Sequence, residues 1–215
     1  MPSTYRVTRI ECPYEWLIQG DNCFHFGEYT SHGGYQASDT NRWIKNLKKK
    51  PTASQNELYY KGQAIGYWAS VLAQLLPPAQ AAGDVTFVPI PGSKPRGHAD
   101  YDPRLELVLR RWVLGVDGVD IRSVLVQDAE RPGQHEDGLR LTPDQIRAMW
   151  SLDGQLLASP LRSAIVVFDD VLTRGASFKA AEAMLSGLPG VQSVTGIFLA
   201  RTVWPNPFAN VADDF

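Results

Sequence analysis

Hydrophobic and polar positions change period several times along this chain, and the changes mark out its elements. Between residues 54 and 76, Leu58, Ile65, Trp68, Leu72 and Leu75 recur at helical spacing. Ser54 with Glu57 three residues on makes a capping box, and Pro77-Pro78 ends the helix. Residues 85–90 form a short apolar run that reads as a buried strand. A loop with two cations follows, then a helix over about 103–113, then a strand over 121–127. Residues 128–140 are almost wholly polar and predict an excursion outside the core. Thr142 as cap and Pro143 at the first helical position start another helix. Residues 165–168 are uninterrupted apolar positions, a helical stretch runs from 178 to 185, and residues 194–199 read as the last strand.

The first fifty residues behave differently. Trp16, Phe24, Phe26, Tyr29 and Tyr35 alternate with polar residues, which fits short strands and turns, and His32-Gly33-Gly34 signals a turn. Asp39-Thr40 looks like the cap of a short helix over 41–50, stopped by Pro51. From residue 54 onward, strands and helices alternate. That order predicts an α/β protein with a parallel twisted sheet and helices on both faces. The chain divides into an irregular, aromatic-rich N-terminal hood or accessory segment (1–53), a core (54–202) and a tail (203–215).

Composition narrows the function classes. The 215 residues carry 44% hydrophobic positions, enough for one large core. A net charge of -2 argues against a chain that binds polyanions as a whole. Cys12 and Cys23 form neither a CxxC pair nor a zinc pattern, so two reduced thiols are expected. No apolar run has the length a bilayer needs, and residues 1–10 lack the apolar stretch of a secretory signal. A cytoplasmic protein without a membrane partner is the expectation.

The chemistry concentrates in residues 165–177. Asp169 and Asp170 follow the apolar strand at its carboxyl end, where open α/β sheets bind ligands. Thr173, Gly175 and Ser177 then open a helix whose free N–H groups and dipole favour an anion. This segment resembles the PRPP-binding motif of type I phosphoribosyltransferases and fits its residue classes throughout. The resemblance implies that fold and a transfer of phosphoribose from PRPP to a small-molecule acceptor, with release of pyrophosphate. Asp169 and Asp170 are then the catalytic acids, holding the ribose hydroxyls directly or through PRPP-bound Mg²⁺. Val171, Thr173, Arg174, Gly175, Ala176 and Ser177 complete the PRPP-binding stretch. Gly92, Ser93, Lys94 and Arg96 fall where this family has its pyrophosphate loop. Residues 128–140 fall where it has a flexible catalytic loop, with Arg131, His135 and Arg140 as candidate phosphate contacts; an ordinary surface loop is the alternative.

Further stretches are similar to the ComF/GntX-like branch: Tyr59-Tyr60-Lys61-Gly62, Val88-Pro89-Ile90-Pro91, Arg96-Gly97 and Leu199-Ala200-Arg201-Thr202. The N-terminal zinc module common in that branch is missing. Two other functions stay open: a PRPP or nucleotide sensor without transfer, and a DNA-processing accessory protein. Tyr29, Tyr35, Trp204 and Phe208 are candidates to stack on an acceptor base, or members of a small core. Arg42, Lys45, Lys48, Lys49 and Lys50 around Trp43 are a basic cluster for nucleic acid, or a solvated helix end. His25, His32, His98 and His135 show no ligand spacing. The oligomeric state is open, and a homodimer is compatible.

Overall fold

The computed structural model describes residues 5–11, 14–131 and 140–204. In chain order the elements are β1 (Thr8–Arg9), β2 (Asn22–Thr30), α1 (Asp39–Leu47), α2 (Gln55–Leu75), α3 (Pro78–Ala81), β3 (Val85–Pro89) and α4 (Arg104–Trp112). After these come β4 (Asp120–Ile121), β5 (Leu125–Gln127), α5 (Pro143–Arg147), β6 (Trp150–Leu152), β7 (Ala164–Leu172), α6 (Ala176–Leu185) and β8 (Ser193–Val203). Six strands form one sheet in the order β1-β2-β8-β7-β3-β4; every pairing in it is parallel except β1 with β2. The protein is therefore α/β with a mostly parallel, mixed sheet.

The central strands are covered on both faces. α1, α2 and α4 pack on one another on one side, and α5 packs on α6 on the other. Phe87 of β3 meets Trp112 of α4 edge-on, and Phe178 of α6 meets Phe198 of β8. Val88, Ile165, Val167, Phe168 and Leu199 are buried between these layers. Each such side chain contributes about 1.5–3 kcal/mol by leaving water, so the core fixes where the strands end. β8 approaches α6 closely because residue 196 is glycine: a Cβ there would stand 2.9 Å from Cys23 Sγ and 3.0 Å from the Phe178 ring.

The predicted caps are present. Ser54 and Glu57 form the capping box of α2, and Thr142 pairs with Gln145 to cap α5, with Pro143 in the first turn. α1 starts two residues earlier than expected, capped by Ser38, whose hydroxyl accepts from the Asn41 N–H.

Two expectations need correction. The N-terminal segment is no irregular hood: β2 spans nine residues and pairs in parallel with β8 along its length, and α1 packs on α2. Residues 121–127 are not one strand. β4 ends at Ile121, where Arg122 turns away and anchors to Asp120, Leu156 O and Ser159. β5 then pairs antiparallel with β6 in a separate two-stranded sheet, with residues 128–149 between them. Among the described residues, no helix is long and apolar enough to cross a membrane.

Candidate functional site

The sheet itself creates the site. β3 connects onward to β4 on one side and β7 to β8 on the other, so the chain diverges between the carboxyl ends of β3 and β7. Open sheets bind ligands in such a crevice. β3 and β7 part at a defined point. The last paired residues are Pro89 and Phe168, and the Ile90 N–H donates to Phe168 O at 2.9 Å. Pro91 has no N–H to continue the ladder. β7 runs four residues further beside β8 alone, from Asp169 opposite Phe198 to Leu172 opposite Arg201. The two acids occupy this open stretch, with Gly92 and Ser93 just beyond the neighbouring strand.

Adjacent residues of a strand face opposite sides, and the two acids part accordingly. Asp170 is buried on the side of α4. Arg104 there donates from Nε and Nη2 to Asp170 Oδ2 at 2.9 and 2.8 Å, and Lys48 Nζ lies 2.8 Å from Oδ1. Arg104 also reaches Asp102 Oδ2 at 3.0 Å, and Lys61 Nζ donates to the same oxygen at 2.7 Å. Lys61 completes its bonds on Leu47 O and Lys49 O, the carbonyls at the end of α1. Burial works to raise the Asp170 pKa, but Lys48 and Arg104 outweigh it and hold the carboxyl below its ordinary value. Burial first, and the Arg104 charge after it, lower the Lys61 pKa, and Asp102 opposes them. Asp102 Oδ1 is buried without a hydrogen-bond partner among the described residues.

Asp169 has the opposite environment. It is half-buried, and its Oδ1 accepts from the Asp170 N–H at 2.7 Å. Burial first, and the Asp170 charge second, raise its pKa well above the carboxylate range. No hydrogen bond to its Oδ2 is present among the described residues. One strand end thus holds a fixed carboxylate beside a carboxyl that takes a proton readily.

The loop after β7 opens α6. Gly175 adopts a left-handed conformation (φ +89°), and no side chain caps the helix. Thr173 is exposed and Ser177 half-buried, and neither hydroxyl has a partner among the described residues. Val171 and Ala176 are buried and supply backbone only. The far side of the loop is covered by the N-terminal segment: the Trp16 N–H donates to Arg174 O at 3.0 Å, and Leu17 fills the space beside Gly175, where a Cβ would meet its Cδ2 at 2.8 Å. Arg174 does not face the loop's interior. Its guanidinium grips both oxygens of Glu15.

The cations of the Gly92–Arg96 stretch also have partners. Lys94 pairs with Glu130, and Arg96 bonds Asp153 Oδ2 at 2.6 Å and Ser123 O at 2.8 Å, pinning β5 and β6 to the loop. The backbone of Ser93 accepts from the Arg131 N–H at 2.8 Å. That bond fixes the start of the excursion beside the acids. Burial lowers the Arg131 pKa, against the pull of Asp169 and Asp170, and its Nη1 is buried with no partner among the described residues. Arg140, where the excursion returns, is exposed and lies within electrostatic reach of Glu15. His135 lies outside the described residues, as do Phe208 and Cys12.

Of the aromatic candidates, Tyr29 is half-buried at the end of β2 and close enough to Asp170 for that charge to raise its pKa, after burial. Trp204 is 67% exposed and packs on His32, with ring centroids 5.9 Å apart, and Tyr35 is exposed away from them. The basic cluster is dispersed. Arg42 pairs with Asp39, Lys49 lies over the Tyr60 ring, Lys50 bonds Asp100, and Lys48 enters the crevice. Cys23 is a buried free thiol whose pKa burial pushes up to about 12.

Sequence reasoning missed Asp102 and Arg104; it read Lys61 only as part of a family-like stretch and Lys48 only as part of a basic cluster. The available signal was small: Asp102-Pro103-Arg104 brackets the start of α4 directly after the Gly92 loop. No protein-family model matches the chain, and no curated protein is similar to it.

Proposed function

We propose that this protein binds PRPP with Mg²⁺ in the crevice between β3 and β7 and transfers its phosphoribosyl group to a small acceptor, on a type I phosphoribosyltransferase fold. One observation carries the reading: two carboxylates at the β3–β7 divergence are followed within a few residues by the uncapped start of a ten-residue helix. A diol beside a phosphate matches that sequence of groups. The ribose hydroxyls meet Asp169 and the outer oxygen of Asp170. The 5′-phosphate takes the N–H groups at the start of α6 with the hydroxyls of Thr173 and Ser177. The diphosphate lies over the Gly92–Ser93 backbone, near Arg131 and its unpartnered Nη1.

The residues also suit Mg²⁺ carried on the ligand's oxygens. Asp169 and Asp170 would hold it indirectly, through the ligand: both oxygens of Asp170 are engaged by cations, and among the described residues neither oxygen of Asp169 is. Mg²⁺ there would supply positive charge against the departing diphosphate. The chain's own contributions are orientation and proton transfer. Arg104 fixes Asp170, which fixes the sugar. Asp169, with its raised proton affinity, accepts a proton at Oδ2 from the attacking N–H of the acceptor.

The test is calorimetric titration with PRPP and Mg²⁺, followed by pyrophosphate release across a panel of bases. Wild type is expected to bind and to release pyrophosphate with at least one acceptor. Wild-type binding no tighter than that of an Asp169→Asn/Asp170→Asn variant refutes the reading. A second reading, PRPP binding without transfer, is favoured by Arg96: its guanidinium is committed to Asp153 and Ser123 and leaves the Gly92 loop without a free arginine. Tight binding with no pyrophosphate release for any acceptor decides for it.

A further inference from the structure

Among the described residues, four cations of the crevice, Lys48, Lys61, Arg104 and Arg131, meet the three acids Asp102, Asp169 and Asp170. The four cations are not equally available. Lys61 has three acceptors, and Arg104 is locked between two carboxylates. Lys48 differs. Its side chain is 42% exposed, it projects from the end of α1, and among the described residues its ammonium has one partner, Asp170 Oδ1. Arg104 binds the other oxygen of Asp170 in two places.

We propose that Lys48 is a phosphate-binding residue held in reserve on Asp170: a sugar hydroxyl that takes Oδ1 displaces the ammonium, which then meets the diphosphate of the same ligand. The assignment rests on the crevice being the sugar-diphosphate site described above. It makes α1 a working part of that site. It also couples two recognition events, since Lys48 reaches the anion only when the diol has replaced it. A ligand with diphosphate but no diol must compete with Asp170 for the same ammonium.

The test is a thermodynamic cycle read by calorimetry, with Mg²⁺-PRPP and Mg²⁺-pyrophosphate as separate probes. Lys48→Ala is expected to weaken PRPP binding about 10–100-fold, the worth of one charge-assisted contact, and Lys48→Arg to retain most of it. Lys48→Ala is expected to keep a cooperative thermal transition, because Arg104 still holds Asp170. Asp170→Asn is expected to weaken PRPP binding yet strengthen pyrophosphate binding, and the gain is expected to vanish in Lys48→Ala/Asp170→Asn. If wild type binds PRPP and Lys48→Ala binds it equally well, this assignment fails while the site stands. Should the pyrophosphate gain survive in the double variant, it also fails, as that gain then comes from general charge. Wild type that binds neither probe overturns both. The Lys48 variants decide the matter alone if Asp170→Asn does not fold.

Discussion

Asp169 and Asp170 are neighbours with the same side chain, yet their surroundings drive their protonation in opposite directions. The consequences for stability have opposite signs. Asp170 has a depressed folded pKa, so its contribution is complete above the ordinary carboxylate range and is lost as pH falls through the folded value. Asp170→Asn leaves Arg104 buried without its main partner. It is expected to cost about 3–5 kcal/mol at pH 7, measured by urea unfolding. Asp169 is raised to about 7. Between the ordinary value and that pH, the folded chain keeps a proton the unfolded chain has released, so stability falls as pH rises through this window. Asp169→Asn removes that penalty. It is expected to stabilise the chain at pH 8 and to have little effect at pH 4. Thermal melts at the two pH values check it, and equal shifts would mean that Asp169 titrates as an ordinary carboxyl.

Among the elements, the turn from β7 into α6 is held by geometry that a single methyl disturbs. Gly175→Ala places a Cβ against Leu17 and forces a left-handed φ on an L-residue. The expected cost is about 1–3 kcal/mol. Gly175→Ala/Leu17→Ala is expected to recover the steric part and keep the backbone part, as read from denaturant midpoints. Features of this kind were legible where they are local. The capping boxes at Ser54 and Thr142, the carboxyl end of β7 and the glycine before α6 all follow from residues within one turn of each other. β2 was not legible as a nine-residue strand. His25 interrupts its apolar run, yet it is buried, with Nδ1 3.0 Å from Gly27 O and its pKa lowered by burial. A polar residue satisfied inside the core looks, in sequence, like a break in the strand. β5 and β6 are three residues each, too short for alternation to register. The ring of charge around Asp170 was hidden for another reason. Lys48, Lys61, Asp102 and Arg104 come from the end of α1, from α2 and from the approach to α4, and only the packing of these helices brings them together.

At the scale of the whole molecule, the first fifty residues and the rest form one structure. A chain starting at residue 54 loses β1, β2 and α1. It bares the β8 edge, and it takes from Lys61 the Leu47 and Lys49 carbonyls and from Asp170 its Lys48 partner. Such a truncation is expected to show no cooperative thermal transition and to aggregate through the bared edge. A sharp melt by circular dichroism would mean that the later residues fold alone.

The β2–β8 pairing also sets an order of events in synthesis. Asn22 faces Thr195, and Thr30 faces Val203. The N-terminal strand leaves the ribosome with Phe24 and Phe26 already translated, but its neighbour is among the last segments made. Domains of this size emerge over many seconds, and unpaired strands invite wrong partners meanwhile. The nascent chain must therefore carry an unfinished sheet edge through nearly all of elongation, a period in which a holdase chaperone has its longest access. In pulsed amide exchange on refolding protein, β2 amides are expected to gain protection together with those of β8, and later than those of α2.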